Sequence, residues 1–146
     1  MEQRFVADPV PAEVKEELES TLESVDHAEE LVMRAAREMG FDEDQQHEIG
    51  ISLRECMVNA VVHGNRYNSR KKVHFAVNHS PKKLEIVIGD EGEGFDTEGV
   101  PDPLAQENLL RQSGRGVLMM RAFMDEFEVG SREPSGTEVR MVKYKS

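Results

Sequence analysis

Cysteine is almost absent: Cys56 is the only one in 146 residues. A single thiol excludes an internal disulfide framework and any cysteine-based zinc site. The simplest compartment for such a chain is the reducing cytoplasm. Bases are scarce as well. Lys and Arg number 18 against 29 Asp and Glu, a formal net charge of −11. Phosphate backbones need a basic surface, so direct nucleic-acid binding is not expected. An acidic surface fits partners that carry basic patches. No apolar run approaches the roughly 18 residues that span a membrane, and Met1-Glu2-Gln3-Arg4-Phe5 lacks the apolar core of a signal peptide. His27, His47, His74 and His79 show no metal-ligand grouping. No Ser-His-Asp or Cys-His arrangement is readable, and the glycine-rich segments fit neither G-x-x-x-x-G-K-[ST] nor a strand-linked G-x-G-x-x-G.

What remains is one domain's worth of patterned chain, since domains run about 100–200 residues. Residues 1–12, with Pro9 and Pro11, read as a flexible N-terminal arm, and residues 13–146 as a single domain. Between Glu13 and Glu30 lie Glu13, Glu16, Glu17, Glu19, Glu23, Asp26, Glu29 and Glu30 against one base, Lys15. Such a stretch is ordinarily a solvated edge; a docking face is the other use. Leu18 to Leu22 reads as a short edge strand. Ser24 or Asp26 then reads as an N-cap for a helix to Met39, with Gly40 as the stop. Asp42 or Asp44 starts a second helix ending near Gly64. Ile49, Ile51, Leu53, Met57, Val58, Ala60, Val61 and Val62 make it apolar on most sides, the mark of a buried central helix.

Val73, Phe75 and Val77 alternate with polar residues, as do Leu84, Ile86 and Ile88 after a turn at Pro81-Lys82-Lys83. Residues 91–114 form a long glycine- and proline-rich loop with a short helical piece near Leu104 to Leu110, and loops of that length are commonly lids. A third helix spans about 115–124. Strands at 126–131 and 137–145 close the chain around Pro134-Ser135-Gly136. The order predicts an α+β fold: a two-layer α/β sandwich, with a mostly antiparallel, mixed sheet covered on one face by helices.

Four constellations could carry chemistry. Ser52, Glu55, Asn59 and His63 are spaced by three, four and four and share one helical stripe. A carboxylate and an amide in an apolar helix are expensive without partners. The amide oxygen suits a magnesium ion, and the carboxylate could accept a proton from an attacking hydroxyl or water. His63, near the helix C-terminus, reads as structural. In Asp90-Glu91-Gly92-Glu93-Gly94-Phe95, strand parity turns Asp90 inward with Leu84, Ile86 and Ile88. A donor is then needed, and the exocyclic amine of adenine is one candidate. Gly92 and Gly94 would let backbone approach a flat ring or a phosphate, although Asp-Glu-Gly is also an ordinary surface turn. Ser113-Gly114-Arg115-Gly116-Val117 opens a helix whose N–H groups favour phosphate oxygens, with Arg115 adding charge; a simple hinge is the alternative. Thr137 shares a face with Val139 and Met141, so its hydroxyl is expected beside Asp90. Met119, Met120, Met124 and Met141 read as core filler.

An E-x-x-x-N helix, a strand ending D-x-G-x-G, a lid, a G-x-G helix start and a final Gly-Thr strand follow one another in this order. The set resembles the Bergerat ATP-binding fold of the gyrase, heat-shock chaperone, histidine kinase and mismatch-repair ATPase superfamily. The short single-domain form is similar to the anti-sigma factor serine/threonine kinases. Residues 55–65 (ECMVNAVVHGN), 90–95 (DEGEGF), 113–125 (SGRGVLMMRAFMD) and 136–142 (GTEVRMV) carry the match, which covers roughly Leu18 to Lys145.

The resemblance implies ATP and Mg2+ as ligands. It implies Glu55 as general base, Asn59 as the magnesium ligand, and Asp90 on the adenine amine with Thr137 assisting through water. Gly92 and Gly94 would shape the base pocket, and Gly114, Arg115, Gly116 and Val117 would meet the triphosphate. It further implies a kinase that binds a sigma factor and phosphorylates an anti-anti-sigma protein, with a homodimer as an open arrangement. The acidic surface would steer the chain to a basic sigma factor. The alternative is a nucleotide-gated binding module with little kinase activity. A stand-alone domain phosphorylating histidine in trans is a third reading. No histidine-bearing dimerisation helix is present, so a complete sensor histidine kinase is not expected.

Overall fold

Period-two alternation builds the sheet and three-four spacing builds the helices. The computed structural model describes residues 12–92 and 115–145. In chain order these form β1 (Glu13–Leu18), α1 (Leu22–Met39), α2 (Glu43–Val58) with a π-helical continuation (Asn59–Gly64), β2 (Val73–His79), β3 (Lys83–Gly89), α3 (Arg115–Phe123), β4 (Glu126–Ser131) and β5 (Thr137–Tyr144). The sheet order is β1-β2-β3-β5-β4. Every described pairing is antiparallel, so no parallel pair makes the sheet mixed.

Register explains the two layers. Phe75 pairs with Ile88, Ile88 with Val139 and Val139 with Val129, so apolar side chains from four strands share one face. Buried Val73, Phe75, Val77, Leu84, Ile86, Ile88 and Met141 join Val25, Val32, Ile49, Leu53 and Met57 of the helices in one core. The opposite face is charged. There Arg140 meets Glu85 at 2.5 Å, Glu128 at 2.7 Å and Glu126 at 2.9 Å. No helix among the described residues is long and apolar enough to cross a membrane.

The helix ends follow local chemistry. The hydroxyl of Thr21 accepts from Ser24 N at 3.3 Å, so α1 starts earlier than a Ser24 or Asp26 cap would allow. Gly40, at φ 85°, donates to the carbonyls of Ala36 and Arg37 and ends the helix. Asp42 and Gln45 form a reciprocal capping box at the start of α2. The edge strand lies at Glu13–Leu18 rather than Leu18 to Leu22. Pairing extends back to Ala12, whose carbonyl accepts from His79 N at 2.9 Å. The helical piece near Leu104 to Leu110 and the rest of the N-terminal arm lie outside the described residues.

Ile86 sits at the centre of the sheet with no exposure. Its replacement by Ala should cost about 2–5 kcal/mol of stability, read as a lowered urea midpoint with unchanged slope. A loss below about 1 kcal/mol would show that the layers do not meet tightly there.

Candidate functional site

The polar groups gather where β3, the π turn and β5 meet. Asp90 follows β3 and is 8% exposed. Its Oδ1 accepts from Gly92 N at 2.9 Å and from Thr137 N at 3.3 Å. Its own N–H donates to the Thr137 carbonyl at 2.9 Å. Burial raises the Asp90 carboxyl above its ordinary value, and the Gly92 and Thr137 N–H groups only partly oppose this. Among the described residues no donor reaches Oδ2.

Three glycines enclose this carboxylate. A Cβ at Gly64 would run into the Asp90 carboxyl group, one at Gly92 into the Gly64 carbonyl, and one at Gly136 into the Asp90 carbonyl. Gly136 also has φ 109°, a conformation that L side chains rarely adopt. The cradle is thus made of bare backbone closing on one buried carboxylate, with Oδ2 left to accept. An aromatic amine fits that demand in shape and polarity.

Asn65 ties the cradle together and is 1% exposed. Its Nδ2 donates to Ser20 Oγ and to the Lys72 carbonyl, both at 2.9 Å. Its Oδ1 accepts from Glu91 N at 2.7 Å. Asn65 lies in the matched segment 55–65 with no task expected of it, and Gly64 is expected only as the end of the second helix. The available signal is a glycine followed by an amide directly after a long buried helix.

The second cluster lies on α2. Glu55 and Asn59 are half-buried one turn apart, and Asn59 opens the π turn. π turns recur at functional sites. The helix α3 packs onto α2 at Gly116, where a Cβ would run into the Glu55 carboxylate. The glycine therefore sets Glu55 against the first turn of α3. Cys56 is buried between the two clusters. Burial pushes its thiol well above the ordinary range, with the Asp90 and Glu55 charges adding to the effect, so it is no nucleophile. Ser52 Oγ is completely buried and has no partner among the described residues.

Asp90, Gly92 and Thr137 come together, but Thr137 reaches Asp90 through its backbone and not its hydroxyl, which has no hydrogen-bond partner among the described residues. Glu55, Asn59 and Gly116 form the neighbouring group. Val117 turns its side chain into the core, leaving only its backbone for a ligand. Arg115 opens α3. Gly94 and Gly114 lie outside the described residues. His63 is exposed at the π turn. No group of three or more His, Cys, Asp or Glu among the described residues could hold a metal ion. An ion at Asn59 would need oxygens from a ligand, as magnesium sites commonly do.

A helix-covered antiparallel sheet with a backbone-lined carboxylate at one end and a carboxylate–amide pair beside a glycine-bearing helix start defines a ligand-binding α+β domain. The family model described as "Histidine kinase-like ATPase domain" matches residues 18–143, and the chain belongs to that family. The proteins named anti-sigma F factor from Bacillus thuringiensis (strain Al Hakam) and Bacillus mycoides (strain KBAB4) are each 36% identical over 101 residues, covering 68% of this chain and 69% of theirs. A solved catalytic domain of the histidine kinase ThkA aligns with TM-score 0.49 and 15% identity over 91% of this chain and 96% of that one.

The raised Asp90 carboxyl has a consequence for stability. A carboxyl whose folded value exceeds its ordinary one holds its proton more tightly in the fold, so stability falls as pH rises from the ordinary value through the raised one. Asn at this position carries no such proton, and its oxygen can still accept from Gly92 and Thr137. Asp90→Asn should therefore be more stable than wild type at neutral pH, with the gain shrinking in acid. Urea midpoints at both pH values test this; a wild type more stable at neutral pH would mean that the fold favours the ionised form.

Proposed function

We propose that this chain is an ATP-dependent anti-sigma factor with protein serine/threonine kinase activity. It binds a sigma factor and phosphorylates an anti-anti-sigma protein in the cytoplasm, using magnesium. The placement of Gly116 against Glu55 carries the reading. Backbone N–H groups at a helix start favour phosphate oxygens, so a triphosphate held by α3 lies next to the half-buried Glu55 carboxylate on α2. The family match and the relatives named anti-sigma F factor support the same assignment.

In this reading Asp90 Oδ2 accepts from the adenine amine, and Gly64, Gly92 and Gly136 admit the ring. Asn59 holds magnesium, which neutralises charge on the phosphates. Glu55 takes the proton of the attacking serine or threonine hydroxyl as the γ-phosphoryl group passes to that oxygen and ADP leaves. Such transfer depends on positioning and charge neutralisation rather than on a covalent intermediate.

A candidate anti-anti-sigma protein from the same genome, incubated with the chain, labelled ATP and magnesium, should acquire acid-stable label on serine or threonine. Glu55→Ala should keep nucleotide binding and lose transfer by roughly 10²–10⁴-fold. Nucleotide-dependent binding without label would instead make the chain a gated switch. Acid-labile label would point to histidine, and binding indifferent to nucleotide with no label would remove both leading readings.

Asp90→Asn should weaken ATP binding on the order of 10–100-fold, as loss of a hydrogen bond to a charged group does. Equal affinities by calorimetry would take Asp90 out of the site.

A further inference from the structure

The loop between the π turn and β2 is the basic exception in an acidic chain. Residues 66–72 hold Arg66, Arg70, Lys71 and Lys72, four of the 18 bases. Lys72 pairs with Glu19 at 2.5 Å. Arg66, Arg70 and Lys71 make no ion pair among the described residues, and both arginines are exposed. Tyr67 stands between them with 52% of its surface exposed.

The backbone here is held firmly in an unfavourable shape. Arg66 has φ 52° and Tyr67 φ 60°, consecutive left-handed residues without a glycine. Tyr67 N–H donates to the Val61 carbonyl at 2.9 Å, Asn68 N–H to the Asn65 carbonyl at 3.0 Å and Lys71 N–H to the Asn68 carbonyl at 3.0 Å. Arg70 N–H donates to Asn68 Oδ1 at 2.9 Å. Ser20 Oγ donates to the Lys71 carbonyl at 2.5 Å. A pinned backbone carrying two exposed arginines with no ion pair among the described residues is the reverse of a mobile linker, while the half-buried Lys71 also acts on the Asp90 charge. The burial that normally offsets strain is missing at Tyr67. Glycine or asparagine would serve the turn better, so the side chains themselves need another use.

We propose that residues 66–72 are a docking surface for an acidic segment of the protein substrate, with Arg66, Arg70 and Lys71 meeting carboxylates and Tyr67 covering an apolar side chain. This rests on the kinase reading for the identity of the substrate. The patch follows Gly64 and Asn65 directly, so a protein docked there sits beside the cradle around Asp90. A nucleic acid would be attracted to this loop and repelled by the rest of a chain at −11. An acidic protein segment needs only the loop.

Association of the candidate substrate protein with Arg66→Glu/Arg70→Glu should be slowed by about tenfold or more, with the salt dependence of the wild-type rate lost and ATP affinity unchanged. A fluorescein-labelled Glu-rich peptide should follow the same pattern by anisotropy. Tyr67→Gly relieves the left-handed strain, so it should match or exceed wild-type stability while dissociating faster from the substrate protein. A purely structural loop would give neither result. Unchanged association of the charge-reversed variant, or tighter binding of a DNA oligonucleotide than of the peptide, would overturn the proposal. Absence of label on the substrate would end the kinase reading alone, because the peptide and association arms decide the docking surface without any transfer.

Discussion

The architecture of the site hangs on one buried amide. Asn65 spends both donors and its acceptor on three separate segments: Ser20 before α1, Lys72 before β2 and Glu91 after β3. None of the three could shift without leaving a buried polar group unsatisfied, which is a heavier loss than the hydrogen bond itself. Because Asn65 is fixed, Gly64 is held over the Asp90 carboxylate. Because Gly64 is held there, the turn that follows leaves the pocket along a single path, through Arg66 and Tyr67.

Asp90 shows what that fixing costs and what it leaves available. Two backbone N–H groups claim one oxygen, and burial disfavours the charge they help to hold. The group is thus partly satisfied by the protein and partly reserved. Around it the chain has given up side chains at Gly64, Gly92 and Gly136, so the walls are peptide planes. Glu55 has the same relation to Gly116. Both carboxylates owe their position to a missing Cβ on a neighbouring segment.

Much of the fold is legible in the chain because burial follows parity. Val73, Phe75 and Val77 against Leu84, Ile86 and Ile88 announce two strands and the side on which the core lies, and Asp90 inherits its inward direction from them. The edge strand is harder to read. In β1 the charges of Glu13, Lys15 and Glu17 sit on the solvated face, and Leu18 closes the strand instead of opening it. The cap of α1 is displaced for a related reason: Thr21 and Ser24 both carry hydroxyls, and only geometry decides that Thr21 is the acceptor. Asp90, Gly92 and Thr137 are legible as a group because they flank paired strands. Asn65 is not, since its partners lie 45 and 26 positions away at Ser20 and Glu91. The glycine cradle escapes for the same reason: its close approaches join residues remote in sequence.

The π turn at Asn59–Gly64 sets a rule for sequence change. A wider turn holds one residue more than an α-helix would over the same rise, and Asn65 N–H donates five residues back, to the Ala60 carbonyl at 2.8 Å. Deleting any one residue between Val58 and Asn65 would let the helix regain its ordinary winding. Everything after the deletion would stay close to its present place, with the amide of Asn65 still facing Ser20 and Glu91, whereas one added residue wound as α-helix would turn it away by about 100°. The turn can therefore give up one residue more readily than it can take one in.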